Sequence, residues 1–199
     1  MKIQTNLWFA LVVTFMMTGC STSVERIDAQ EQIDLSGAWN DTDSQLVARE
    51  MIDDSLSRPW IVRFVSETAK DPALIIGSVK NLSHEHINTN TFVANMEREL
   101  INSGQVQFVA SAVARQEIRA ERGDQGLNAT AGTRNAARQE YGADFMMQGQ
   151  INTIIDIEGK TQVRYYQVNL ELISIKDNRK VWVGEKRIKK LVRNSQLRQ

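Results

Sequence analysis

The sequence predicts an α+β domain, an antiparallel or mixed sheet of about four to five strands with helices packed against it. Two observations carry the expectation. In the first half, stretches with helical spacing alternate with short β-prone runs; in the second, three long period-two runs follow one another across tight turns. With 199 residues, the chain is long enough for one ordinary core once a leader is set aside.

The elements follow in order. In DTDSQLVAREMIDDSL, Asp43 or Ser44 can cap a helix whose Leu46, Val47, Met51, Ile52 and Leu56 recur at helical spacing. Ser57-Arg58-Pro59 stops it, because the residue before a proline avoids the helical region. Trp60 to Phe64 reads as a short extension at the domain edge. After a turn at Asp71-Pro72, ALIIGSVKN is short, β-prone and bounded by turn residues, which describes a buried strand. A helix follows with Phe92, Val93, Met96, Leu100 and Ile101 on one face, Asn88 or Asn90 as its cap and Gly104 at its end. QVQFVA reads as a short strand, SAVARQEIRAER as a helix with a charged outer face, and GDQGLNATAGT as a loop. A short helix is expected from Arg134 through Tyr141.

From Ala143 the strands dominate. ADFMMQGQINTIIDI runs to a turn at Glu158-Gly159-Lys160, and TQVRYYQVNLELISI returns with Tyr166, Val168, Leu170 and Leu172 on one face. After a turn at Lys176-Asp177-Asn178, KVWVGEKRIKKL supplies the last strand, with Trp182 on one face and Val181 and Val183 on the other. Three strands with short turns make an antiparallel meander.

The N-terminus has a different character. Lys2 and Asn6 precede LWFALVVTFMM, and Thr18, Gly19 and Cys20 follow. A short positive end, an apolar run and small residues before a break describe a secretory signal peptide. The run is too short to span a bilayer, which takes roughly 20 apolar residues. The pattern resembles the lipobox of bacterial lipoproteins, and that resemblance implies cleavage before Cys20 and a diacylglycerol on its sulfur. The alternative is an uncleaved interfacial helix with an incidental cysteine. Cys20 is the only cysteine, so it cannot form an intramolecular disulfide, whereas lipid attachment needs no second thiol. Ser21 follows it where an aspartate often retains such proteins at the inner membrane, and by family analogy this favours the outer membrane. The expected organisation is a signal peptide over 1–19, a lipidated N-terminus and short tether over 20–40, and a domain over 41–199. Extended, the tether would reach only roughly 60–70 Å.

The chain has 24 basic and 24 acidic residues, which speaks against a nucleic-acid partner, since phosphate binding needs a concentrated positive surface. Charge is nonetheless uneven: residues 21–58 hold nine acids and three bases, and Arg179 to Gln199 contains Glu185 as its only acid. The two ends can pair with each other, or either can meet a partner of opposite charge.

Chemistry-bearing motifs are sparse. His84 and His86 flank Glu85, and with Asp71 they could ligate a metal, but no further histidine or cysteine completes a familiar set. The carboxylate pairs Asp53/Asp54, Glu97/Glu99 and Glu117/Glu121 read as solvated helix faces, not as acids placed across a sugar-sized cleft. Ser78 lacks a GxSxG elbow, and the glycines form no phosphate loop. No catalytic residue, cofactor site or metal site is assigned. A noncatalytic protein is expected, with an aromatic carbohydrate platform as a weaker alternative.

The stretches SGAWNDTDSQLVAREMIDD, IIGSVKNLSHEHINT, QVQFVASAVARQEIRAER, YGADFMMQGQI and YYQVNLELISIKDNRKVWVGEKRIKK resemble, in the same order, the LpoB family of penicillin-binding-protein activators. The resemblance spans Trp39 to about Lys190. It implies an outer-membrane lipoprotein whose periplasmic domain stimulates glycan polymerisation and peptide cross-linking by a bifunctional peptidoglycan synthase, making no bonds itself. A broader fold resemblance is to the periplasmic portion of curli-secretion lipoproteins. One departure stands out: the well-known activators carry a long proline-rich segment between lipid and domain, whereas Ser21 to Asn40 is short and proline-free. The family's contact residues do not map securely onto this chain, and the exposed charges Arg115, Arg119, Lys189 and Lys190 are the candidate partner interface. An envelope assembly or secretion lipoprotein with another partner is the alternative function, and a cell-wall enzyme a further one.

Overall fold

Four helices and one five-stranded sheet make up the domain in this computed structural model, which describes residues 23–28, 31–135 and 140–193. From Ile33 onward the chain forms one unit. The described residues before it, 23–28 and 31–32, have no regular structure.

Helix α1 is Asp41–Leu56, capped by Asn40 and not by Asp43 or Ser44, which lie inside its first turn. The Asn40 side chain accepts from the Asp43 amide, and the Asp43 carboxylate accepts from the Asn40 amide, both at 3.0 Å. This reciprocal box satisfies two amides that a helix start leaves unpaired. Val47, Ala48, Met51, Ile52 and Leu56 are buried, while Leu46 faces outward. Trp60–Thr68 is a helix, α2, and not an edge extension. Pro59 supplies a helical φ at its start, and Trp60 and Phe64, one turn apart, both pack edge-on against Phe145 at 5.0 and 5.2 Å. That shared aromatic contact outweighs the strand preference of its β-branched residues. The helix closes on Ala69 in the left-handed region, φ 54°.

Strand β1 is Ala73–Leu82. Helix α3, Thr89–Ser103, has Asn88 as its cap and ends at Gly104 with φ 64°, both as the sequence indicates. Strand β2 is only Gln107–Phe108, but the Val109 amide still bonds the Leu74 carbonyl at 2.8 Å. Helix α4, Ala112–Asn128, runs through Gly123 and Gly126, where the sequence suggests a loop. Bonds at i,i+4 tie its last turns, Gln125 to Glu121 at 3.0 Å and Asn128 to Asp124 at 2.8 Å. Of the helix expected over 134–141, residues 136–139 lie outside the described residues.

Strands β3 (Phe145–Glu158), β4 (Thr161–Ser174) and β5 (Lys180–Arg193) form the antiparallel meander. The sheet order is β2-β1-β3-β4-β5, with β1 parallel to both neighbours, so the sheet is mixed. Helices α1 and α3 cover one face. Tyr166, Val168, Leu170 and Leu172 all point into that core. Two bulges adjust the pattern. Gly77-Ser78 lie opposite Gln148 alone, so Ile76 and Val79 both reach the core despite their odd spacing. Val181 is skipped in the pairing of Leu172 with Trp182 and Ile173 with Lys180, which lets it pack on the core beside Trp182 and not opposite to it.

Leu170 pairs with Gly149 on one side and Gly184 on the other. A Cβ on Gly149 would lie 2.1 Å from the Asn169 carbonyl oxygen and 2.5 Å from Leu170 Cδ2. One on Gly184 would meet the Trp182 ring at 2.1 Å. The glycines make room for the Asn169 carbonyl and Leu170 on one strand and for the Trp182 ring on the other. Gly149→Ala should therefore destabilise the protein by about 1–3 kcal/mol, as overpacked cores do. Urea unfolding measures this, and an unchanged midpoint would contradict the close packing.

Candidate functional site

The polar chemistry gathers around a strap, residues 33–40, laid on the domain ahead of α1. The Trp39 ring packs edge-on against Phe92 at 6.2 Å and Tyr166 at 5.6 Å, and its indole donates to Ser44 Oγ at 2.6 Å. Glu85, between the two histidines, fixes the strap from the other side. Its carboxylate accepts from the Trp39 amide at 3.0 Å, the Tyr166 hydroxyl at 2.6 Å and Arg164 Nη1 at 2.8 Å. The Gly37 carbonyl lies 3.2 Å from the same hydroxyl. Burial, and then the bond to Glu85, hold the Tyr166 phenol well above the ordinary tyrosine range.

Lys190 closes the other end. Its side chain is 9% exposed, and its ammonium donates to Asp43 at 2.6 Å, Asp34 at 2.9 Å and the Ala38 carbonyl at 3.1 Å. Asp43 thus serves the helix cap and the strap together. Adjacent residues on a strand face opposite sides, so Lys189 lies exposed while Lys190 is buried. The two do not form one surface patch. The acidic start of the chain and its basic end do meet here, inside the molecule.

The histidines have structural surroundings. The His84 amide and ring both contact Thr153 Oγ1, at 3.0 and 3.1 Å, and His86 is exposed. Among the described residues, no group of three or more His, Cys, Asp or Glu side chains is placed to hold a metal. Asp54 takes a bond from Trp182 Nε1 at 2.8 Å and pairs with Arg58, as a packing contact between α1 and β5. On the sheet face away from α1 and α3, a hollow of about 320 Å³ is lined by Ser78, Lys80, Gln148, Gln150, Asn169 and Glu171. Gln148 donates to Glu171 at 2.8 Å within it, and no histidine lines it.

Arg115 and Arg119 lie on α4. Arg119 makes a two-pronged contact with Glu140, at 2.7 and 2.8 Å, and Arg122 approaches the same carboxylate at 3.5 Å. The bond from Arg119 holds Glu140 below the usual carboxylate range. Arg115 lines the groove beside them, with its Nε shielded from solvent and without an acceptor. Lys189, on β5, belongs to a different part of the surface, and Cys20 lies outside the described residues. The sequence places Lys190 among the surface charges and Glu85 between two possible metal ligands, whereas both are taken up in fastening the strap. The available signal was Lys190 itself, a lysine in phase with inward-facing Trp182 and Ile188.

These features define an α+β domain whose buried charges fasten its own N-terminal strap. The family described as peptidoglycan-synthase activator LpoB matches residues 43–188, and the chain belongs to that family. Membership supports a role as a periplasmic lipoprotein. Similar solved structures include the LpoB C-terminal domain from Escherichia coli, 14% identical over 73% of this chain and 98% of that one, with a TM-score of 0.43. The LpoB C-terminal domain from Salmonella enterica is 14% identical over 65% and 93%, with a TM-score of 0.36. Lipoprotein GNA1162 from Neisseria meningitidis is 14% identical over 63% and 87%, with a TM-score of 0.41. No curated protein sequence matches the chain.

Two outcomes test the strap. Lys190→Met leaves Asp43 buried without its cation and should cost about 3–5 kcal/mol, while Lys189→Met should stay within about 0.5 kcal/mol of the parent. Equal effects in chemical denaturation would refute the difference in burial. In an absorbance titration of the folded protein, one phenol should ionise only well above the ordinary value of about 10, and Tyr166→Phe should remove that late component. A curve unchanged by the substitution would assign the late phenol elsewhere.

Proposed function

We propose that the chain is a noncatalytic lipoprotein, anchored through Cys20 in the outer membrane with its domain in the periplasm. There it binds and stimulates a bifunctional peptidoglycan synthase, a penicillin-binding protein, promoting glycan polymerisation and peptide cross-linking. The family match over residues 43–188 carries this reading. The activator works by binding a productive conformation of the synthase better than an unproductive one, because a ligand shifts an equilibrium only by its differential affinity. Arg115, Arg119 and Lys189 are the proposed contacts, with Lys190 supporting Lys189 from beneath by fixing the strand to the strap.

One observation favours a second reading, an envelope assembly or secretion-associated lipoprotein with another protein partner. The strap takes residues 33–40 out of the tether, so the chain between Cys20 and Ile33 can reach at most about 45 Å. A synthase rooted in the inner membrane must then extend well outward to be met.

Affinity of the full chain, in detergent, for the bifunctional synthases of the same organism separates the readings. The activator reading expects saturable binding, faster glycan polymerisation by that synthase, and no product from peptidoglycan when the chain acts alone. A folded chain that binds none of them moves the assignment to the second reading. Cys20→Ala should release the protein from the membrane fraction, and continued sedimentation with membranes would contradict the lipid anchor.

A further inference from the structure

Helix α4 is 17 residues long and has no buried residue. Helices of this length draw most of their stability in water from a packed face. Here Val113, Ile118 and Leu127 are 69%, 42% and 86% exposed. Between α4 and the Gln107–Ala110 segment runs a groove of about 350 Å³. Its apolar walls include Phe108, Val109, Ile118 and Tyr141, and its charged residues are Arg115, Arg122 and Glu140.

The charges in this groove do not balance. Glu140 is its single carboxylate, and both prongs of Arg119 grip it from outside. Arg122 has only the longer 3.5 Å approach to that acid, and the shielded Arg115 Nε has no acceptor. Glu117 and Glu121 line a neighbouring hollow on the other side of Ile118 and Arg122. Glu140 thus shows what the arginines accept, and one more carboxylate would fit what remains.

We propose that this groove binds a segment of a protein partner that presents an aspartate or glutamate flanked by aliphatic side chains. The carboxylate goes to Arg115 and Arg122, and the aliphatic neighbours go against Phe108, Val109 and Ile118. Guanidinium forks suit carboxylates in two-pronged geometry, and partial removal from water strengthens such pairs. A polyanionic membrane fits poorly, because Glu117, Glu121 and Asp124 on the same helix would repel it. A two-fold copy of the chain would bring the same arginines face to face. The inference rests on the domain being a protein-binding module, not on its partner being a synthase.

Panning a displayed library of random peptides against the full chain in detergent tests it, followed by titration of the best synthetic peptide. The enriched sequences should carry an acid beside leucine, isoleucine or valine. Arg115→Gln and Arg122→Gln should each weaken that peptide by about tenfold or more. Glu140→Gln, which frees the arginines, should tighten it, an effect that a merely structural ion pair would not produce. Lys160→Gln, at the exposed turn between β3 and β4, should leave affinity unchanged. If Arg115→Gln loses its helical circular dichroism, the Arg122 and Glu140 variants decide the matter. The proposal falls if no acidic motif is enriched or if folded variants bind as the parent does. It falls equally if these arginines instead drive self-association or binding to phosphatidylglycerol vesicles. Peptide binding without synthase affinity would keep the groove and remove the activator reading.

Discussion

The buried ammonium of Lys190 is the constraint on which the arrangement of this domain turns. A lysine nearly removed from water is costly unless its charge is matched and its protons are accepted. Asp34, Asp43 and the Ala38 carbonyl do both, and they come from a segment far away in sequence. Since Asp43 also closes the capping box of α1, the last strand, the first helix and the strap share one electrostatic junction. Glu85 builds a second junction on the opposite flank, binding Trp39, Tyr166 and Arg164. Between the two, the Trp39 ring sits against Phe92 and Tyr166, so the strap is held by polar clamps on either side of an aromatic plug.

This placement explains why so little of the molecule's polar inventory remains for chemistry. Glu85, Asp43, Lys190 and Arg164 would each attract notice in a cleft, yet each faces a partner within the fold. The arginines of α4 differ. Their helix carries no buried residue, and the carboxylate they share is that of Glu140. The family's role as a periplasmic lipoprotein and the self-contained core are compatible with a surface that works by contact, with α4 as its least committed element.

The meander was legible because its three runs lie between marked turns, and β4 buried the four residues that its period selects, whereas the bulge that brings Val181 beside Trp182 was not. Helix α3 was legible from its cap, its apolar face and its terminal glycine. Helix α2 was not, because Trp60 to Phe64 reads as a short extension at the domain edge until the sheet brings Phe145 against Trp60 and Phe64. The continuation of α4 through two glycines was likewise hidden, since weak i,i+4 bonds decide it. Of the candidate interface, Arg115 and Arg119 fell on one helix as the spacing implied. Lys189 and Lys190 looked like a single basic end until strand alternation separated them. The strap's partners lay beyond sequence reasoning, because they depend on the three-dimensional neighbourhood of residues scattered from Asp34 to Lys190.

The strap also determines how the domain carries mechanical load. Tension arriving from the N-terminal side enters the folded unit near Ile33, where it meets side-chain bonds from Asn40 to the Ile33 carbonyl and from Lys190 to Asp34. These are separate point attachments, unlike the continuous backbone ladder that joins β3, β4 and β5. Under a steady pull they would yield one after another as the strap peels, while the sheet stays intact. The Trp39 plug is the next resistance. A strap fastened in this way gives up its length in steps before the sheet itself bears the force.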